Sequence, residues 1–275
     1  MKKYIVGLLL ICCSASIHAW NAMGHELVAQ IAYDNLSENA KKMCQTLLRA
    51  NNKSVDRVFV KSAIWLDLIK LKDVHWFDAL HYIDIPYTVD ATSLPPIQDA
   101  NALWGIKQAT NVLLSSKATL KDKNLSLKIL IHLVGDIHQP LHTVNRVSKR
   151  LPQGDLGGNL YALAKTPIGQ NLHQYWDNGA GVLLGQTKLF QIRNKASQLE
   201  QKWSCTIAKK QINPQKWVNE AHRLAVTQVY VTPAYRTPGK RYQLSAQSIS
   251  QKQILLAGCR LANLLNMIAD KLPIS

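Results

Sequence analysis

Four short stretches of the 275-residue chain concentrate histidine and aspartate in ways that core packing does not explain. In "IHLVGDIHQPLH", His132 and Asp136 are four apart, so on a helix they lie one above the other on the same face. Pro140 must end that helix, and the bend brings His142 back to the same region. "NLHQYWDNG" repeats the i, i+4 spacing with His173 and Asp177. "AIWLDLIK" puts Asp67 inside an apolar helical turn, and "LHYIDIP" sets His81 three residues before Asp84. A single His–Asp pair is most often a surface hydrogen bond. Here, however, Asp67, His132 and Asp136 sit among apolar neighbours, where a charge needs a partner. Imidazole with carboxylate is a zinc ligand set. Adding His25 gives eight candidate ligands, too many for one four-coordinate ion. The residues point to a polynuclear site without fixing the number of ions.

Helices must position these groups. "GHELVAQIAYDNL" places Leu27, Val28, Ile31 and Leu36 on one side, and "SENAKKMCQTLLRA" follows with Ser37 as its cap. Apolar periodicity predicts further helices near 56–70, 99–116, 123–138 and 246–270. Asn213 and Pro214 are a cap and first-turn pair for another helix, "NPQKWVNEAHRLAVTQVYV". Residues 86–98, 144–170 and 232–245 read as loops, with 159–169 as the one good hairpin candidate. Neither a repeat nor a linker interrupts the pattern. The expectation is one all-α domain over 20–275 with a short β-hairpin near 159–169.

The first nineteen residues read as a signal peptide, with Lys2 and Lys3 before the apolar run "YIVGLLLICC" and cleavage after Ala19. That apolar run is too short to span a bilayer, and no later segment is apolar enough. The expectation is therefore an exported protein, periplasmic or secreted. A net charge of +16 suits a polyanionic partner, although charge alone does not choose among nucleic acid, acidic lipid and phosphorylated substrates. Cys44, Cys205 and Cys259 remain after cleavage, with Cys205–Cys259 the preferred disulfide. No CxxC pair exists, so a metal site must use nitrogen and oxygen ligands.

The blocks "WNAMGHELVAQIA", "AIWLDLIK", "LHYIDIP", "HLVGDIHQPLH", "GGN" at 157–159 and "NLHQYWD" occur in an order that resembles the S1/P1 nuclease family, related in fold to bacterial zinc phospholipase C. The resemblance implies a mostly helical fold with three zinc ions. It assigns Asp67, His81, His132 and Asp136 to one ion, and His142, His173 and Asp177 to a second. The third would be held by His25, Asp136 and Trp20, the last through its α-amino nitrogen and carbonyl oxygen. It further implies a zinc-activated water attacking single-stranded RNA or DNA to leave 5′-phosphates, and a 3′-nucleotidase activity. Two close zinc ions lower the pKa of a shared water towards ~7.

Lys70, one turn after Asp67, is then the candidate phosphate contact, and Asp84 the candidate acid that orients the water. Asn178 is a candidate nucleotide contact, and Asn159 a residue that contacts substrate or shapes the adjacent loop. His138 is expected to support a ligand. Tyr82, Tyr87, Trp104 and Tyr175 are candidate platforms for unstacked bases. A zinc protease is excluded, because "HELVA" has Ala29 where the second histidine must stand. Zinc phospholipase C is the enzymatic alternative, and a zinc-scavenging protein the non-enzymatic one. The chain is expected to be a monomer.

Overall fold

A computed structural model describes residues 20–51, 55–208 and 211–272. The signal-peptide expectation for 1–19 falls outside the described residues. The polypeptide winds into helices α1 (Ala22–Asp34), α2 (Glu38–Leu48), α3 (Val55–Ser62), α4 (Trp65–Lys70) and α5 (Ala102–Leu114). These are followed by α6 (Leu120–Asp136), α7 (Leu172–Asp177), α8 (Leu189–Lys202), α9 (Pro214–Leu224) and α10 (Lys240–Lys271).

Helix α1 is buried all round from Met23 to Ala32, as expected of a helix enclosed by others. It packs against α3, α6, α8 and α10. The approach of α10 is so close that a Cβ at Gly258 would sit 2.6 Å from Ile31 Cβ. Such burial of a leucine or isoleucine contributes about 1.5–3 kcal/mol each. Side-chain caps set two helix starts where the sequence placed them, with Ser37 and Asn213 accepting from Ala40 and Lys216, and Asn21 caps α1 by accepting from Gly24. Cys205 and Cys259 form a disulfide with Cα atoms 5.4 Å apart, tying the turn after α8 to α10. Cys44 is buried, and burial pushes its thiol up to about 12.

Helix α10 begins at Lys240, inside the stretch 232–245 read as a loop, and the structure departs from the sequence reading at four further places. The helix expected over 56–70 breaks at Ala63–Ile64 into α3 and α4, and the break turns the Ala63 carbonyl to His132. Helix α8 was not anticipated. Its buried stripe is only Ile192, Ala196 and Leu199, too sparse to stand out in a polar stretch. The hairpin at 159–169 is reduced to an isolated antiparallel bridge, Ala162–Asn171. Its outer edge instead pairs with the incoming chain, through Tyr235 N–H to Ala162 O at 2.8 Å and Ala164 N–H to Arg236 O at 3.2 Å. The sheet that does form is a two-stranded parallel pair, β1 (Pro86–Thr88) with β2 (Asn145–Val147), in the register Pro86–Asn145.

Two hydrophobic clusters form the interior. The larger contains Leu27, Leu133 and Ile137, and the smaller contains Leu141, Leu172 and Trp176. His25 and His132 flank the first and His142 and His173 the second, so the candidate site lies at the seam between them. No helix among the described residues is long and apolar enough to cross a membrane.

Candidate metal centre

Six elements deliver the histidines and aspartates to that seam. Helix α1 brings His25, α4 brings Asp67, and the 3-10 turn Asp78–His81 brings His81. Helix α6 brings His132 and Asp136, the 3-10 turn Pro140–Thr143 brings His142, and α7 brings His173 and Asp177. None of these side chains belongs to a residue more than 9% exposed. Donor atoms converge in three sets: His25, Asp67 and His132; His81, His132 and Asp136; and His142, His173 and Asp177.

Asp136 is the hub. Its Oδ1 lies 3.3 Å from His25 Nε2, while its Oδ2 lies 3.1 Å from His81 Nδ1 and 3.4 Å from His132 Nε2. One carboxylate therefore faces two sets of nitrogens, the disposition of a bridging ligand. Neither oxygen has a hydrogen-bond partner among the described residues. Asp67 Oδ1 stands 3.8 Å from His132 Nε2 and 3.9 Å from His81 Nδ1. His25 stacks on His132 with ring centroids 4.0 Å apart. The packing depends on Gly135, where a Cβ would come within 2.9 Å of His25 Nδ1.

The tautomers of three rings follow from their outer partners. His132 Nδ1 donates to Ala63 O at 2.6 Å, His142 Nδ1 to His81 O at 2.7 Å and His173 Nδ1 to Gly157 O at 2.7 Å. A carbonyl only accepts, so each Nδ1 carries the proton and each neutral ring turns its Nε2 lone pair inward. His142 Nε2 and His173 Nε2 are nevertheless 3.0 Å apart. Two buried lone pairs facing each other repel unless a positive centre, a shared proton or a metal cation, lies between or beside them. A metal cation supplies that centre, and outer hydrogen bonds to backbone carbonyls are what metal-ligating histidines ordinarily make. The donor set fits a metal ion.

Burial electrostatics point the same way. Desolvation raises the carboxyl pKa of Asp136 and Asp177 well above the ordinary range and lowers the His81 imidazole well below its own. Without a cation the pocket favours neutral groups, and a bound metal ion inverts that preference.

The remaining expected residues divide. Trp20 is fully buried, and its backbone is drawn to α7 through Asn21 N–H to Asp177 O at 3.0 Å. This return of the chain requires Gly24, since a Cβ there would sit 2.5 Å from Trp20 Cβ. Lys70 Nζ lies 3.7 Å from Asp67 Oδ1 and 3.9 Å from Asp78 Oδ1, beside the first set of ligands. Asp84 shares a small cavity with Tyr82 and His173. Burial, with Asp155 nearby, pushes its carboxyl up to about 6.

Asn178 has a different place from a nucleotide contact. Its Oδ1 accepts from Asn21 Nδ2 at 2.8 Å and its Nδ2 donates to Ile168 O at 2.7 Å, so the amide splices the N-terminal segment onto α7. Asn159 Nδ2 donates to Leu156 O at 2.8 Å, shaping its own loop. His138 turns away from the cluster. Its Nε2 meets Arg260 at 3.0 Å beside Trp217, and burial with the Arg260 charge depresses its pKa to about 3. Tyr175 is 2% exposed and packs on Tyr242, which removes it as a base platform, whereas Trp104 is exposed.

Two buried residues went unread in the sequence. Gln139 Nε2 donates to Asp177 Oδ1 at 2.7 Å, and its Oε1 accepts from Leu141 N–H at 2.7 Å, fixing both a ligand and the turn that carries His142. Asp155 accepts from the N–H groups of Gly158 and Arg146 and from the Tyr230 hydroxyl. It thereby holds the loop whose Gly157 carbonyl orients His173. A polar side chain beside a motif carries no periodic signature. Only the "HQP" context before a ligand histidine hinted at Gln139.

The S1/P1 Nuclease family model matches residues 20–270. Endonuclease 2 of Arabidopsis thaliana is 32% identical over 188 residues, covering 63% of this chain and 60% of the relative. Endonuclease 4 of the same plant is 30% identical over 285 residues, covering 92% and 90%. Nuclease S1 of Aspergillus oryzae is 30% identical over 171 residues, covering 58% and 54%. The aligned stretches thus span under two thirds of endonuclease 2 and of nuclease S1, but nearly all of endonuclease 4. With its match running from Trp20 through all the clustered histidines and aspartates, the chain belongs to the S1/P1 nuclease family.

Proposed function

We propose that the protein is an exported phosphodiesterase that holds three zinc ions and hydrolyses single-stranded RNA and DNA to 5′-phosphorylated products, with 3′-nucleotidase activity at the same site. The observation that carries the metal reading is the pair of inward lone pairs of His142 and His173, 3.0 Å apart with both outer nitrogens committed to carbonyls. The names of the relatives support the nucleic-acid substrate.

Asp67, His81, His132 and Asp136 would hold one ion, and His142, His173 and Asp177 a second. His25, Asp136 and the Trp20 α-amino and carbonyl groups would hold the third. When bound, zinc acidifies water and offsets negative charge on a phosphoryl group. The protein's own part is positional. Ala63, His81 and Gly157 carbonyls fix the rings, Gln139 fixes Asp177, and Asp136 turns Oδ1 to His25 and Oδ2 to His81 and His132. Lys70 supplies a cation at the rim for the phosphate. The Asp84 carboxylate accepts a hydrogen bond from the attacking water, orienting it. Asn159 and Asn178 keep the site's walls in place.

Single strands suit a recessed centre because their bases unstack and their backbone splays. Rates on matched single- and double-stranded oligonucleotides test this, with faster single-strand cleavage expected and equal rates contradicting it. The second reading, a phospholipase C, rests on the exposed Leu71 and Trp76 (80% and 69%) in the segment that follows α4, which would suit a lipid surface. Turnover of phospholipid and not of oligonucleotide by the same zinc-loaded preparation would favour it.

A further inference from the structure

Arg260 of α10 is the one lysine or arginine among the described residues that is buried, at 4% exposure. We infer that it is a positioning residue for the metal centre: acting through His138, Arg260 fixes the turn between Asp136 and His142 to α10. The inference concerns a side chain outside the ligand set and rests on the metal reading above.

Burying a guanidinium is costly unless its donors are matched, and a well-packed apolar residue often serves stability as well or better. Here the match is uneven. Nη2 donates to Gln211 Oε1 at 3.3 Å and to the Glu220 carboxylate, whose side chain is 34% exposed. Nε has no partner among the described residues. Nη1 is spent on a neutral acceptor, His138 Nε2, at 3.0 Å. His138 Nδ1 donates to Val134 O at 2.7 Å, so Nε2 carries the lone pair that Nη1 meets. Trp217 packs beside both groups, its ring 5.6 Å from the His138 ring and 5.7 Å from the guanidinium carbon.

His138 is held at every polar group. Its N–H donates to Gly135 O at 3.2 Å, and its carbonyl accepts from Gln253 Nε2 at 3.1 Å. Gln253 and Arg260 are seven residues apart, two turns along one face of α10. That helix is itself a fixed reference. A Cβ at Gly258 would sit 2.9 Å from Val28 O of α1, the helix that carries His25, and Cys259 is tied to Cys205.

The clasped histidine lies two positions after Asp136 and four before His142, next to Gln139, whose amide holds Asp177. Asp136 faces His25 and His81 on one side of the turn, and His142 faces His173 on the other. A shift at His138 therefore moves the two halves of the cluster against each other with no ligand lost. A planar fork holds several acceptors at fixed angles, which a lysine ammonium does not.

The test uses the mature full-length protein and three variants. Arg260→Met keeps the buried stem and removes the fork, and Arg260→Lys keeps only the charge. Glu220→Gln removes the outer carboxylate and leaves the bond to His138. In chelator, at a pH where the rings are neutral, nitrogen NMR of histidine reads the ring tautomers of the metal-free protein. Wild-type His142 is expected in one form, protonated at Nδ1 by its bond to His81 O at 2.7 Å. Both Arg260 variants are expected to show a mixture there, and Glu220→Gln the wild-type form.

With zinc, both Arg260 variants are expected to hold the ion of His142, His173 and Asp177 about tenfold less tightly. Their kcat on a 3′-mononucleotide should fall by about the same factor with KM unchanged. A merely structural role would lower Tm in all three variants and leave tautomers, zinc affinity and kcat of the folded protein as in wild type; that result would overturn the inference. Should Arg260→Met not fold, Arg260→Lys carries the same comparison. A wild type that binds no zinc would overturn the metal reading, while the tautomers in chelator still decide whether Arg260 positions the turn.

Discussion

Gln139 offers the sharpest perturbation of the centre, because it is fully buried and joins two ligands without being one. Its Nε2 donates to Asp177 Oδ1 and its Oε1 accepts from Leu141 N–H, both at 2.7 Å. Gln139→Leu keeps the volume and removes both bonds. Without metal the Asp177 carboxyl is held towards its neutral form, so its lost hydrogen bond contributes about 0.5–1.5 kcal/mol, and the Leu141 N–H is left buried and unmet, about 1–3 kcal/mol. The metal-free variant should therefore be destabilised by roughly 2–4 kcal/mol, a fall in Tm of roughly 5–15 °C for a chain of this size. Gln139→Glu keeps the acceptor for Leu141 but sets a second carboxyl against Asp177, so its defect should be concentrated in the ligand. Affinity for the ion held by His142, His173 and Asp177 should fall about 10–100-fold in both variants. Competition against a fluorescent zinc chelator, run with a thermal melt in chelator, separates the two effects. Wild-type zinc affinity in Gln139→Leu would refute the claim that the amide orients Asp177.

Three further outcomes are expected. A one-residue extension before Trp20 should remove one metal ion and abolish activity, because an amide nitrogen replaces the amine whose pKa is about 8; metal analysis of extended and authentic chains decides it, and equal content refutes it. Asp84, raised to about 6, favours folding in its protonated form, so its contribution to stability is fullest at low pH and is lost as pH rises from about 4 towards 6. Asp84→Asn should flatten that loss and also erase an acidic limb near pH 6 in the rate profile, whereas an unchanged profile would remove Asp84 from water orientation. Cys205→Ser opens a loop of 54 residues and should lower stability by about 4 kcal/mol, measured by denaturant melts, with the centre's metal content intact.

Much of the His/Asp cluster could be read from the chain because its residues follow rules of local geometry. The i, i+4 pairs His132–Asp136 and His173–Asp177 are fixed by helical pitch, and Pro140 makes the turn that returns His142. Caps such as Ser37 and Asn213 also act locally, and their helices begin where expected. What escaped reading depends on partners remote in sequence. The pairing of Pro86–Thr88 with Asn145–Val147 joins two three-residue segments that carry no strand pattern of their own. The break at Ala63 makes sense only once His132 is there to take its carbonyl. Asn178 looked like a substrate contact because it follows a ligand, but Asn21 and Ile168 from distant segments claim both ends of its amide.

The most direct test of the central claim is zinc content per chain of the mature protein beginning at Trp20, with single-strand cleavage measured before chelation, after it, and after zinc is restored. Three zinc ions per chain, with activity lost on chelation and recovered with zinc, is the expected result. Fewer than two ions, or cleavage indifferent to chelator, would contradict it.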